Sequence, residues 1–227
     1  MARVILLVEG VTEEDFVSQV LAPHLYDRGY EEVSVRKLGL GEKRGGIIGW
    51  PEARRDILRH LAQDRSWLVT TMVDYYGLPQ GDARGWPGRA GATRQAVARR
   101  AATVQAAMHA EIVAQMGTSF DASRFLPFVV LHKFEALLFS DCTGFAQALY
   151  APKLAVALQE IRDAFATPEE INDSPQTAPS KRVEALMPEY QKPLFGSFAA
   201  EYIGLGTIRA ECPHFRAWLE ALEAWPH

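Results

Sequence analysis

The sequence predicts an α/β fold in which a small, mainly parallel sheet is flanked by helices, and three short apolar runs support this prediction. They cover residues 4–8, 67–73 and 125–132, and helical stretches separate them. Short apolar runs that are bounded by turn residues and alternate with helical segments are typical of strands buried in a parallel sheet. A further short strand is predicted over residues 32–38, where apolar and polar side chains alternate.

Helices are predicted between these strands from their capping residues and apolar faces. Thr12, followed by three acidic residues, predicts a helix over residues 12–27, and Pro51 begins a helix that ends near residue 64. A long helix is predicted over residues 92–115. Beyond the last strand, short helices are predicted over residues 143–149, 153–166, 181–187 and 214–224.

The composition of the chain limits the class of protein. With 227 residues, of which 48% are hydrophobic, the chain is long enough for one α/β domain with an appendage. We expect residues 1–142 to form the α/β core and residues 143–227 to form a helical extension packed on it. The sequence has no apolar stretch near the roughly 20 residues that span a bilayer, no secretory signal and only two cysteines. These features predict a cytoplasmic protein without a membrane segment.

The basic residues are concentrated in one part of the chain. Residues 36–100 hold 13 Lys and Arg against 6 Asp and Glu, whereas the net charge of the whole chain is −4. This asymmetry favours a surface that faces DNA or RNA, and a solvated basic helix face is an equally good interpretation. The glycine-rich segment 39–49 lacks the P-loop pattern. It is interpreted either as a segment that contacts a phosphate or as a surface loop. The candidate nucleic-acid contacts are Lys43, Arg44, Arg84, Arg89 and Arg94.

Three acidic residues follow the ends of predicted strands. Glu9 comes directly after the first run, Asp74 directly after the run 67–73, and Glu135 shortly after the last run. Ligands of open α/β sheets gather outside the carboxyl ends of the strands, so we expect these carboxylates to converge. Carboxylates that share a pocket repel one another and need a cation, which favours Mg²⁺ or a similar hard metal ion. A loop or helix-capping role is the alternative for each.

The stretch VEGVTE at residues 8–13 resembles the first motif of Toprim domains, the metal-binding module of topoisomerases, primases and several nucleases. Nearly the whole chain also resembles a bacterial family, domain-of-unknown-function family 4276, through the stretches LLVEGVTEEDF, TTMVDYYGLP, LHKFEALLFSD, PEEIND, TAPSKR and HFRAWLEALE. A related group is the overcoming-lysogenization-defect nucleases, in which a Toprim domain acts beside an ATPase. The resemblance implies a Toprim-like fold and a Mg²⁺ or Mn²⁺ site formed by Glu9, Glu13, Asp74 and Glu135.

The same resemblance implies a nuclease that cuts DNA or RNA and works with a partner ATPase in defence against phages or plasmids. Glu9 is then a candidate catalytic acid or base, and Lys181 and Arg182, in the TAPSKR stretch, are candidates for neutralising the phosphorus transition state. Two positions depart from the family pattern, because Tyr76 and Lys133 stand where acids are usual. They favour an alternative, a non-catalytic Toprim-like module that binds nucleotide, nucleic acid or the ATPase and regulates it.

Overall fold

The fold is built around a small parallel sheet. The computed structural model describes residues 2–39, 46, 48–171 and 177–225, apart from the side chains of Asp82 and Pro193. The strands are β1 (Ala2–Val8), β2 (Tyr30–Lys37), β3 (Trp67–Asp74), β4 (Phe125–Leu126) and β5 (Val129–Val130). Their order is β2-β1-β3-β4, with β5 also paired to β3, and every pairing among them is parallel. The predicted fold class, a small parallel sheet flanked by helices, is confirmed.

Helices surround this sheet and make up most of the chain beyond it. The α-helices are α1 (Val11–Phe16), α2 (Ala22–Asp27), α3 (Trp50–Gln63), α4 (Arg89–Ala92), α5 (Val97–Met116), α6 (Cys142–Ala148), α7 (Ala155–Asp163), α8 (Pro179–Leu186), α9 (Lys192–Ile203), α10 (Leu205–Glu211) and α11 (Pro213–Ala224). None of the helices in the described part of the chain is both long enough and apolar enough to cross a membrane.

The two faces of the sheet are covered by different helices, because successive side chains of a strand point to opposite sides. On β1, Leu6 joins a core cluster that contains Phe16 of α1 and Trp218 of α11. The next residue, Leu7, joins a second cluster with Ile57 of α3 and Val104 of α5. The sheet is therefore the middle layer of three, and the C-terminal helices share one outer layer with α1 and α2.

The last predicted strand is interrupted, which corrects the prediction of one strand over residues 125–132. Pro127 lies between β4 and β5 and has no N–H to donate to a neighbouring strand. Next to it, the Phe128 N–H donates to Thr71 Oγ1 at 3.0 Å, and the Thr71 hydroxyl donates to the Phe128 carbonyl at 2.9 Å. A side chain of β3 thus replaces the backbone partner at this position, and the chain resumes pairing at Val129.

Two predicted helices are present with different details. A π-helical segment, Val17–Leu21, joins α1 to α2. Pro23 explains it, because proline removes one hydrogen bond of the regular helix and its ring clashes with a carbonyl of the preceding turn. The helix predicted over residues 92–115 instead begins at Val97, where α5 follows an extended Ala96 (ψ 144°), and α4 is a separate short helix.

The sequence prediction missed α9 and α10. Gly196 lies within α9 and Gly204 lies between the two helices, and glycine lowers the helix propensity of a segment. In the fold, packing overrides this propensity. A Cβ atom added to Gly196 would lie 2.8 Å from Thr12 Cγ2, so glycine allows α9 to lie directly against α1. This close approach brings the first residue of α9, Lys192, to the ends of the strands.

Candidate metal centre

Four acidic side chains meet at the carboxyl ends of β1 and β3. Glu9 follows β1, Glu13 lies in the first turn of α1, Asp74 ends β3, and Glu135 lies in a 3₁₀ helix, Phe134–Ser140, that follows β5. Glu13, Asp74 and Glu135 are buried, and Glu9 is half-buried. The structure therefore brings together the four residues that the sequence predicted as metal ligands, and their role as ligands stays a prediction.

Gly10 explains how two of these carboxylates fit into one turn. It separates β1 from α1 in an extended conformation (φ −144°, ψ −172°). A Cβ atom at this position would lie 3.0 Å from Glu13 Oε2, which is closer than Cβ atoms normally approach an oxygen. The Glu13 carboxylate therefore lies over the backbone of the turn because residue 10 has no side chain.

Asp74 is held at the centre of the cluster by the backbone around it. Its Oδ1 atom accepts a hydrogen bond of 3.1 Å from the Phe134 N–H, and its own N–H donates to Glu9 Oε2 at 3.3 Å. These bonds join the ends of β1 and β3 to the start of the 3₁₀ helix. They fix the orientation of the Asp74 carboxylate. Its other oxygen, Oδ2, faces positive charge.

That positive charge comes from two lysines. The Lys192 ammonium lies 3.4 Å from Glu135 Oε2, 3.6 Å from Glu13 Oε1 and 4.0 Å from Asp74 Oδ2. Lys133 Nζ lies 3.5 Å from Asp74 Oδ2. One third of the Lys192 side-chain surface stays exposed, so the ammonium is reached from solvent on one side and faces the carboxylates on the other.

The two departures from the family pattern have different surroundings. Lys133 contacts Asp74 and belongs to the cluster. The Tyr76 ring lies 5.6 Å from the His132 ring, centroid to centroid, on the 3₁₀ turn that follows β3. Tyr76 thus makes an aromatic contact beside the site, whereas Lys133 brings a positive charge into it.

Two polar groups at this site have unused hydrogen-bonding capacity. Neither Glu135 Oε1 nor Glu135 Oε2 accepts a hydrogen bond within the described residues, although the carboxylate is fully buried. The buried hydroxyl of Tyr190 likewise has no hydrogen-bond partner there. A buried polar group without such a partner costs free energy, so Glu135 depends on the charge of Lys192 or of another cation.

Burial and mutual repulsion change the ionisation of these groups. Burial, together with the charges of Asp74 and Glu13, raises the pKa of Glu9 to about 7. The pKa values of Glu13 and Glu135 are also raised, in both cases mainly by burial. Burial alone would lower the pKa of Lys192, but the surrounding carboxylates raise it above its usual value, so this lysine stays charged. The raised pKa values mean that the ionised form of these glutamates is disfavoured in the cluster, even with the lysine beside them.

The donor chemistry of the cluster fits a hard divalent cation, because carboxylate oxygens are the ligands that Mg²⁺ and Mn²⁺ prefer. The buried oxygens of Glu135 without a hydrogen bond agree with this fit. In the described residues, however, no three acidic, histidine or cysteine side chains surround a single metal position. Instead, the Lys192 ammonium lies among three of the carboxylates.

The basic residues predicted to neutralise the transition state make their contacts elsewhere. Lys181 forms an ion pair with Glu184 at 2.5 Å, within α8. The Arg182 guanidinium donates to the Thr177 carbonyl at 2.8 Å and lies over the Phe165 ring. The predicted role of both residues is not tested by these contacts. Lys192, which the sequence analysis did not select, lies among the carboxylates instead.

The predicted nucleic-acid contacts are found in different surroundings. Arg89 is buried, where it donates to the Tyr75 carbonyl at 3.1 Å and to the Tyr75 hydroxyl at 3.0 Å. Arg84 and Arg94 are exposed. Lys43 and Arg44 lie outside the described residues. The contacts of Arg89 thus anchor the chain that follows β3, and nucleic-acid binding by the five residues stays a prediction.

Comparisons with known proteins place the chain in a family. It is similar to the C-terminal region of the OLD protein of Xanthomonas campestris pv. campestris, with 16% identity over 100% of this chain and a TM-score of 0.43 against 96% of the structure phased with iodine. Against 97% of the structure phased with mercury, the identity is 16% and the TM-score 0.46. No curated protein gives a significant match. The model of the domain of unknown function DUF4276 matches residues 8–223. The chain therefore belongs to the DUF4276 family, as its sequence motifs predicted.

Proposed function

We propose that this protein is a divalent-metal-dependent nuclease that hydrolyses phosphodiester bonds of DNA or RNA. One observation carries the proposal, namely the four carboxylates that converge at the carboxyl ends of β1 and β3 with lysines beside them. Carboxylates in this number at a sheet edge cost stability through burial and repulsion, and such a cost is expected where a site serves a function.

Each carboxylate has a role in this proposal. Glu9, Glu13, Asp74 and Glu135 would hold Mg²⁺ or Mn²⁺, which when bound polarises a phosphoryl oxygen and makes water more acidic. Without a metal ion, burial and the neighbouring carboxylates raise the pKa of Glu9 to about 7, and a bound cation would lower it again. Glu9 is therefore a candidate for a metal ligand or for a general base. Its hydrogen bond from the Asp74 N–H fixes the orientation of the carboxylate that would accept the proton.

Positive charge for the phosphate is available beside the carboxylates. The ammonium groups of Lys133 and Lys192 lie next to Asp74, and Lys192 is partly open to solvent. Fixed cations at this position would stabilise the charge that develops on a phosphate during hydrolysis. Their contacts support them for this role more strongly than those of Lys181 and Arg182, which pair with groups in and beside α8.

The wider setting of the activity is proposed from the sequence resemblance. Overcoming-lysogenization-defect nucleases, which the motifs resemble, suggest a partner ATPase, a role in defence against phages or plasmids, and a cytoplasmic location. The exposed Arg84 and Arg94, with Lys43 and Arg44, would contact the backbone of the nucleic acid through its phosphates. Fold analogy alone does not define a substrate, so the site has to be tested directly.

The first test combines metal binding with cleavage. Calorimetric titration with Mn²⁺ is expected to give binding for the wild type and loss of binding for Glu9→Gln and Asp74→Asn. Cleavage of fluorescent single-stranded and double-stranded DNA and RNA should depend on Mn²⁺ or Mg²⁺ and should disappear in the same variants. Glu14→Gln is the matched control, because Glu14 lies on the same helix as Glu13 but pairs with Lys37 at 3.0 Å. A wild type that binds no Mn²⁺ would contradict the proposal.

A second candidate function is a non-catalytic module that binds nucleic acid or an ATPase. The observation that favours it is the position of Lys192, whose ammonium lies within 4.0 Å of three of the carboxylates and offsets part of their charge. This alternative predicts that a labelled oligonucleotide binds in EDTA, with an unchanged Kd in Asp74→Asn and no cleavage in any metal. The nuclease proposal predicts cleavage that requires both the metal and Asp74.

A further inference from the structure

The Lys192 ammonium lies among three of the four carboxylates of the cluster. Enzymes that cleave phosphodiester bonds often hold two divalent ions a few ångströms apart. We infer that the Lys192 ammonium takes the place of one of them, so that this site holds a single divalent metal ion. This inference rests on the proposed function, because it concerns the number of metal ions in the proposed site.

The contacts of the ammonium are the first argument. Lys192 Nζ lies within 4.0 Å of oxygens from Glu13, Asp74 and Glu135, which come from three different elements of the fold. An ammonium carries three N–H groups and can face three acceptors at once, as a bridging metal ion does. Because two cations a few ångströms apart repel each other strongly, a divalent ion is excluded from the same position.

The anchoring of the lysine is the second argument. Lys192 begins α9, and the close contact between Gly196 and Thr12 fixes that helix against α1. The backbone of Lys192 therefore stays near the cluster. If the ammonium turned away, the buried Glu135 carboxylate would lose its closest cation while both of its oxygens lack a hydrogen bond within the described residues.

Formal charge is the third argument. The groups that influence the pKa of Lys192 are Asp74, Glu135, Glu13 and Glu9, and the other lysine that acts on these carboxylates is Lys133. When all four carboxylates are ionised, as a bound cation favours, four negative charges face two positive charges, so a single divalent ion makes the cluster neutral. Two divalent ions would leave two excess positive charges in a largely buried site, where uncompensated charge is costly.

The metal ion would then lie on the side of the cluster away from this lysine. Glu9 is not among the ion-pair partners of Lys192 in the described residues, and its Oε2 atom faces the Asp74 backbone. We therefore place the single ion on the side of the cluster that holds Glu9. Lys192 stays on the side of Glu135.

The test counts bound Mn²⁺ ions in wild type, Lys192→Met, Lys192→Arg and Lys153→Met by calorimetry and by electron paramagnetic resonance. We expect one ion and a mononuclear six-line signal for the wild type. Lys192→Met should bind a second ion and give a spin-coupled signal, because three carboxylates lose their cation. Lys192→Arg keeps the charge and should bind one ion. Lys153→Met changes an exposed lysine and should match the wild type.

The outcomes separate this inference from the proposed function. Two ions in the wild type, both lost in Glu13→Gln, would overturn the inference and leave the nuclease proposal intact. No ion in the wild type would overturn the metal-dependent function together with the inference. A Lys192→Met protein that binds one ion would show that the lysine does not replace a metal. If this variant does not fold, the wild-type stoichiometry and Lys192→Gln decide the question.

Discussion

The two ends of β3 both carry buried charge, but they treat it in opposite ways. At the amino end, the buried Arg124 guanidinium donates to the carbonyl groups of Trp67, Leu61 and Asp64 at 3.2, 3.0 and 2.6 Å. At the carboxyl end, the buried Glu135 carboxylate accepts no hydrogen bond within the described residues. One end of the strand thus carries a cation that donates three hydrogen bonds, and the other end carries a carboxylate that accepts none within the described residues.

Under the proposed function, this difference separates an end of β3 that stabilises the fold from an end that binds the metal ion. A buried ion stabilises a protein only if its hydrogen-bonding groups are satisfied, as those of Arg124 are. At the other end, the pKa values of Glu9, Glu13 and Glu135 are raised, mainly because burial disfavours their charge. We therefore expect substitutions at the amino end to change stability, and substitutions at the carboxyl end to change binding and activity.

The largest effect is expected for Asp74→Asn, at the carboxyl end. The asparagine side chain can still accept the hydrogen bond from the Phe134 N–H, but its negative charge is gone. We expect Mn²⁺ affinity and cleavage to fall by at least about 10³-fold, whereas the Tm of the metal-free protein should not fall. Calorimetry, a nuclease assay and thermal unfolding in EDTA test the three statements. A large loss of Tm would make Asp74 a structural residue like Arg124.

The next effect is expected for Arg124→Met, at the amino end. This change leaves three backbone carbonyl groups without their donor, and unsatisfied buried acceptors lower the free energy of unfolding by about 2–4 kcal/mol in total. Urea unfolding measures this loss. The exposed Arg65 provides the control, because Arg65→Met should leave stability within about 0.5 kcal/mol of the wild type. Mn²⁺ binding by folded Arg124→Met should be unchanged.

The comparison of the two ends also explains what the sequence could predict. Glu9 and Asp74 follow apolar runs directly, so their place at the strand ends is a local property of the sequence. Lys192 reaches the same site only because α9 packs on α1 through Gly196. That contact joins distant parts of the chain, and the segment around Pro193 gives a weak helical signal, so no local pattern indicated the lysine.

Local sequence patterns also predicted most of the fold. The structure differs from the prediction where side chains replace the expected backbone interactions. Strands β1 and β3 and the helices between them follow from apolar periodicity. The break between β4 and β5 depends on Pro127 and on the hydroxyl of Thr71, which pairs with the Phe128 backbone. Arg89 was selected for its charge, but its contacts with Tyr75 depend on a turn that charge counting does not describe.

A smaller effect should appear in the pH dependence of stability. The pKa of Glu9 is about 7 in the folded protein and near 4.5 in the unfolded chain, so between these values the folded state binds the extra proton. The free energy of unfolding should therefore decrease as pH rises from about 4.5 to 7, by about 2–3 kcal/mol from this residue. In urea unfolding with EDTA, the free energy of unfolding of Glu9→Gln should decrease less between these pH values than that of the wild type. The Glu14→Gln control should decrease as much as the wild type.

The smallest effect is expected at the amino end and has the opposite sign. The pKa of Asp64 is lowered by hydrogen bonds from the Ser66 N–H and hydroxyl, each 2.8 Å long, and by the charge of Arg3. Because the folded state binds the proton less well, this contribution is complete above about pH 4 and is lost as pH falls through the lowered pKa. Asp64 is exposed to solvent screening, so Asp64→Asn should reduce stability slightly near neutral pH and weaken its decline in acid. Thermal unfolding from pH 2 to 6 tests this sign. If the Tm of Asp64→Asn fell in acid as steeply as that of the wild type, the Asp64 carboxylate would not cause the loss of stability in acid. The contrast between the two ends of β3 would then rest on Arg124 alone.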